Sequence, residues 1–225
     1  MPLAVGPGAG AATTPTVVLH LDFEQDALAP GSVVHDASGV ARGVVVTNRG
    51  ALTVVEGSTG RGVRYPCPTC GRALVEVADS TVLDPGTAPF TITADVRMTR
   101  TESARSMNVV QKGYYSQAGG QYKLQVDNGR PSCVVNSSRG RVVVVASASS
   151  ANVADGAWHE VACSRTATEV VVLVDGVARA RRASPAGSVA NTAPVRIGGK
   201  DVTSSDNDQY RAALDDVTIS VGAVG

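Results

Sequence analysis

Residues 157–163 read AWHEVAC, a stretch that gathers the chain's single tryptophan, one of its three histidines, a glutamate and one of its four cysteines. Such a run is either a set of reactive side chains or one strand of a sheet. Period-two alternation separates the two readings: Trp158, Glu160 and Ala162 point one way, His159, Val161 and Cys163 the other. His159 and Cys163 share a face, but along an extended strand they lie roughly 13 Å apart at about 3.3 Å per residue. That distance excludes a Cys-His catalytic pair or a shared metal within the strand. His20 and His35 add no metal-site spacing, so all three histidines are expected to be structural.

The same pattern extends outward in both directions. Strands are predicted at TVVLHLDFE (16–24), GVVVTN (43–48), ALVEVA (73–78), FTITADVRM (90–98), QYKLQVD (121–127) and PSCVVNS (131–137), and again at RVVVVASAS (141–149), WHEVACSR (158–165), EVVVLVDG (169–176), ARARRAS (178–184), PVRIGG (194–199) and LDDVTIS (214–220). Their β-branched residues suit a pleated, half-buried surface, and D-N-G, D-G and R-G turn signals close the connections. No useful amphipathic helical window interrupts them. Short strands without helices predict an all-β fold, a two-sheet antiparallel sandwich or jelly roll, as one domain over residues 16–225. Residues 1–15, MPLAVGPGAGAATTP, are set outside that fold as a disordered leader or a signal-peptide remnant, because Ala9 to Ala12 look like the end of an A-x-A cleavage region.

Twenty basic and twenty acidic side chains cancel. A whole-molecule field that would draw nucleic acid or anionic membrane is therefore missing, and any partner is met by a local surface. No run approaches the length of a membrane-spanning helix.

Taken in order, KG (112–113), GGQYKLQVDNGR (119–130), DGAWHEVACSR (155–165), VVVLVDGVARA (170–180), PVRIGG (194–199) and ALDDVTIS (213–220) closely resemble the laminin-G-like jelly rolls of the concanavalin A-like lectin/glucanase superfamily. The opening LHLDFEQ (19–25) with VVHDASG (33–39) resembles the family's start, so the resemblance covers about residues 16–220. It implies two curved antiparallel sheets and a secreted, extracellular module that binds or spaces rather than catalyses. Enzymes also occur on this fold. Its retaining glycosidases carry two glutamates flanking an aspartate on one strand, which no stretch here supplies. QKGYYSQAGGQYK (111–123) is only a loose echo of one alginate-lyase strand, and the companion strands are missing.

Four cysteines fit two disulfides and an oxidising compartment, with three pairings formally possible. Cys67 and Cys70 lie in YPCPTCG, a turn with no helix start to activate a thiol, which favours a local disulfide. Both remaining positions commonly carry cysteine in the bacterial branch that the sequence resembles, which implies a Cys133–Cys163 bond between strands.

The resemblance to calcium-bearing jelly rolls implies a calcium site at Asp22, Glu24 and Asp215, with Asp216 beside it and the loop SSDNDQ (204–209) as a rival oxygen cluster. Tyr114 and Tyr115, in a glycine-rich loop, are candidates for stacking on sugar rings. Arg179 and Arg181, on one strand face, are candidates for sulfate or carboxylate groups. Asn136-Ser137-Ser138 matches a glycosylation sequon by pattern alone. The expectation is a non-catalytic binding module for a glycan or an extracellular protein, monomeric or part of a larger protein. A ligand-free spacer and a polysaccharide-active enzyme are the alternatives.

Overall fold

The computed structural model describes residues 14–104, 106–146 and 151–222. Residues 1–13 of the expected leader and the end of the RVVVVASAS run lie outside the described residues. In chain order the strands are β1 (Thr16–Leu21), β2 (Val33–Val34), β3 (Gly43–Asn48), β4 (Thr53–Glu56), β5 (Arg61–Arg64), β6 (Arg72–Val77), β7 (Phe90–Thr99) and β8 (Met107–Lys112). They continue as β9 (Gln121–Asp127), β10 (Arg130–Ser137), β11 (Gly140–Val145), β12 (Asp155–Arg165), β13 (Glu169–Val174), β14 (Val177–Ala183), β15 (Val195–Ile197) and β16 (Ala213–Val221). A single 3-10 turn, Thr81–Leu83, follows β6.

Two eight-stranded sheets form the sandwich. The first runs β14-β13-β12-β7-β16-β5-β4, and β1 shares the free edge of β16 with β5. The second runs β11-β10-β9-β8-β15-β6-β3-β2. Alternation sets the faces: along β7, Phe90, Ile92, Ala94, Val96 and Met98 are buried while the residues between them are less so. Tyr122, Leu124 and Val126 of β9 face them from the opposite sheet, and the rings of Phe90 and Tyr122 meet at 5.5 Å.

AWHEVAC lies within β12, and Trp158, Glu160 and Ala162 register with Arg97, Asp95 and Thr93 on the outer face. The arginine of that row caps the indole at 4.8 Å. Cys163 points into the core and bonds Cys133 of β10, joining the two sheets, while Cys67 and Cys70 close the exposed turn before β6.

Four strands escape the sequence pattern. β2, β4 and β5 are too short to establish a period. β8 is buried on both sides, so its residues MNVVQK do not alternate.

The β2–β3 connection is held by one carboxylate. Asp36, 6% exposed, accepts N–H bonds from His20 (2.7 Å), Ser38 (3.0 Å), Val40 (3.1 Å) and Ala41 (2.7 Å), besides the Ser38 hydroxyl. Burial alone works to raise its pKa, but the bonds from Ala41, His20 and Ser38 outweigh it and hold the group below the ordinary carboxylate value. The unfolded pKa is about 3.9, so this contribution is complete above about pH 4 and is lost as pH falls through the lower folded-state pKa. Asp36→Ala, which strands several donors, is expected to cost about 2 kcal/mol at neutral pH. Urea melts from pH 7 to pH 2 check both points, since the variant's stability should fall less steeply with acid than that of the parent.

Candidate functional site

The three histidines each meet an aspartate, not one another. His20 Nε2 lies 2.7 Å from Asp216, and His35 lies 3.8 Å from Asp22. His159 contacts Asp175 at 2.9 Å and Asp155 at 3.2 Å, clipping β12 to the turn after β13. Burial pulls the His159 pKa down, but the two carboxylates prevail and raise it.

Of the expected calcium ligands, Glu24 and Asp215 both reach the turn between β4 and β5. There they meet donors: Glu24 accepts the Arg61 N–H at 3.0 Å. Asp215 Oδ2 accepts the Ser58 N–H at 2.9 Å and its hydroxyl at 3.0 Å, while Oδ1 accepts the Asp216 N–H at 2.9 Å. Burial raises the Asp215 pKa. Asp216 occupies a β-bulge at φ +48° and turns to His20. A hard cation wants several carboxylate and carbonyl oxygens converging on one point, and among the described residues no three His, Cys, Asp or Glu side chains stand together in that way. The donor set as placed does not fit calcium. In the rival loop, Asp206 pairs with Lys200, and Asp208 pairs with both Lys200 (3.1 Å) and Lys123 (3.4 Å).

The adjacent tyrosines part company. Tyr114 is half-buried and fixed, its hydroxyl donating to the Lys200 carbonyl at 3.1 Å and accepting from Arg196 at 2.6 Å. Tyr115 is 65% exposed, ahead of Val177 at 51% and every other exposed large apolar side chain among the described residues. The Arg141 guanidinium lies 4.5 Å from its ring centroid, and Asn136 donates to its carbonyl at 3.0 Å. Arg141 and Asn136 are register partners on β11 and β10, and further along β11 the outward Val143 and Val145 are also exposed. The outer face of the second sheet therefore carries an open aromatic ring, braced from beneath and beside, with polar hydrogen-bonding groups and an apolar strip around it. That combination suits the alternating C–H and O–H faces of a sugar. The sequence signal for it is Arg141, whose register with Asn136 depends on the R-G hairpin at residues 139–140.

On β14 the two arginines are related differently from simple alternation. A register shift opposite Val172 and Leu173 makes Arg179 the extra residue, and Arg181 pairs with Glu169 at 3.3 Å.

The fold agrees with what comparison finds. A laminin-G-type family model, described as concanavalin A-like lectin/glucanases superfamily, matches residues 71–224. Domain 4 of AbnA, an extracellular GH43 arabinanase from Geobacillus stearothermophilus solved in complex with arabinotriose, superposes with a TM-score of 0.67 at 16% identity, covering 94% of this chain and 95% of that one. The binding domain of Paraclostridial Mosquitocidal Protein 1 gives a TM-score of 0.69 at 12% identity, over 93% of this chain and 50% of that one. Mouse laminin α1 domains LG4-5 give 0.57 at 18%, over 77% and 44%. The chain thus spans the arabinanase domain nearly whole and about half of the toxin and laminin fragments. No curated protein sequence matches it significantly.

Proposed function

The chain belongs to the concanavalin A-like lectin/glucanases superfamily, and from that premise we propose that it is a non-catalytic, extracellular carbohydrate-binding module whose ligand stacks on Tyr115. The exposed ring held by Arg141 is the observation that carries this reading. A sugar ring laid on the face of Tyr115 away from Arg141 meets an aromatic plane held by that guanidinium and, through the tyrosine carbonyl, by Asn136, on strands already locked by the inter-sheet disulfide. That preorganisation limits the entropy lost on binding. The arabinotriose bound to the arabinanase domain and the binding role named for the toxin domain support the reading by analogy of fold. Two disulfides suit an oxidising, extracellular setting, and among the described residues no helix is long and apolar enough to cross a membrane.

A glycan array of the full chain tests it, run with calcium and with chelator because the carboxylates as placed give no reason for calcium to matter at this face. Binding to a restricted set of saccharides is expected, and Tyr115→Ala should weaken it about tenfold, the equivalent of ~1.4 kcal/mol of stacking. Failure to bind any saccharide in either arm would leave the spacer reading instead. Reducing ends or unsaturated products released from a polysaccharide would overturn its non-catalytic character.

A further inference from the structure

A second place on the molecule bears the marks of an incomplete charge balance. Arg49, just after β3, and Arg72, opening β6, are partners in an isolated parallel bridge. Both arginines line the same cavity beside the turn that precedes β6, and like charges gathered at one place repel unless something neutralises them. Nothing in the described chain does. Neither arginine has a carboxylate partner, and Arg72 is engaged only by the carbonyls of Thr203 (2.9 Å) and Val202 (3.4 Å).

The backbone holds the pair together. A Cβ on Gly71, whose φ is +83°, would lie 2.3 Å from the Arg49 carbonyl carbon, so the turn closed by Cys67–Cys70 seats directly on Arg49. Three cavities surround this turn, of about 380, 380 and 120 Å³. Cys67, Cys70 or both line each of them, the cationic lining residues are Arg49, Arg64, Arg72 and Arg211, and no carboxylate is among the linings. Arg64 is already paired with Glu102. Arg211, in the smallest cavity with Arg72, has a buried Nε without a partner. A guanidinium N–H left bare out of water is costly, and a bound oxyanion would supply the acceptor it lacks.

We propose that the cavities around the Cys67–Cys70 turn form an oxyanion-binding subsite, in which Arg49, Arg72 and Arg211 take the carboxylate or sulfate of an acidic saccharide. It stands independently of the Tyr115 platform. β11 and β6 are five positions apart in their sheet, roughly 24 Å at about 4.8 Å per strand. The disulfide fixes the wall common to all three cavities and so shapes the subsite while contributing little to the core.

Calorimetric titration of the full chain with three oligosaccharides of equal length, one carrying carboxylates, one sulfates and one neutral, tests the proposal in a Tyr115→Ala background that removes the other site. Binding of one or both acidic probes is expected, weakening as salt rises, with no binding of the neutral one. The preference between the two acidic probes identifies the oxyanion. Arg49→Gln and Arg211→Gln, at surface or half-buried positions and checked for folding by circular dichroism, should each weaken the acidic probe about tenfold or more. Cys67→Ser/Cys70→Ser should weaken it while leaving the melting temperature within a few degrees. Equal affinity for the neutral probe, unchanged affinity in both arginine variants, or binding of inorganic sulfate without either acidic saccharide would overturn it.

Discussion

Lys112→Met is expected to destabilise the protein by about 3–5 kcal/mol, the range for removing one member of a buried ion pair. Lys112 is fully buried and its register partners on β9 and β15, Tyr122 and Val195, both belong to the core. Its stem runs beside those apolar side chains, and its ammonium stays buried at the end of β8. There it donates to Asp79 at 2.8 Å, to Asp84 at 2.7 Å and to the Asn191 carbonyl. Asp79 and Asp84 flank the 3-10 turn and Asn191 lies in the segment before β15, so one charge ties down two connections. Methionine preserves most of the packing. What it removes is the cation between two carboxylates whose side chains are only 35% and 16% exposed. At about 2–4 °C per kcal/mol for a domain of this size, the melting temperature should fall by roughly 6–20 °C. Adding Asp84→Asn to Lys112→Met should recover part of the loss, because it removes an uncompensated charge, and the two changes should be strongly non-additive. A loss below about 1 kcal/mol in urea melts would mean that water or a rearranged loop replaces the lysine.

Lys112 also marks where reading the sequence succeeds and stops. Strands with one face on the core announce themselves by alternation, as Phe90–Thr99 and Gln121–Asp127 do. β8 sits mid-sheet with its outer face beneath the segment that follows β15, where the Asp208 carbonyl accepts the Asn108 N–H at 2.9 Å. Polar residues such as Asn108 and Gln111 are therefore buried there, and a sequence window takes them for a loop. The candidate site was half legible. Two adjacent tyrosines in a glycine-rich loop point to a surface, but which one is spent on Arg196 and which is presented over Arg141 depends on side chains more than twenty residues away in sequence. Arg49 and Arg72 likewise meet through the pairing of β3 with β6, distant segments whose relation has no period to detect. The bulge at Arg179 breaks the alternation on which the paired-arginine expectation rested.

Removing the Cys133–Cys163 bond by a double alanine substitution is expected to cost at least as much as Lys112→Met. The two cysteines are wholly buried, with Cα atoms 5.1 Å apart, whereas facing sheets ordinarily pack about 10 Å apart. The bond therefore sits where the sandwich pinches together, between β10 and β12. Its sequence separation of 30 gives about 3.7 kcal/mol of lost chain entropy in the unfolded state. The cavity left beside Ile92 and Leu124, their register neighbours, adds to that. Cys67–Cys70, exposed and separated by three residues, yields about 2 kcal/mol at most by the same reasoning and has no core to disturb. Urea midpoints of the two double variants should thus differ widely in favour of the Cys67→Ser/Cys70→Ser protein. Alkylation under mild reductant should label the exposed pair long before the buried one, and the opposite order in either measurement would refute the assignment of the brace. Because Cys133 and Asn136 share β10, and Arg141 pairs with that strand, loosening the bond should also weaken glycan binding at temperatures where the variant is still folded. The Cys67–Cys70 variant should leave the Tyr115 platform untouched.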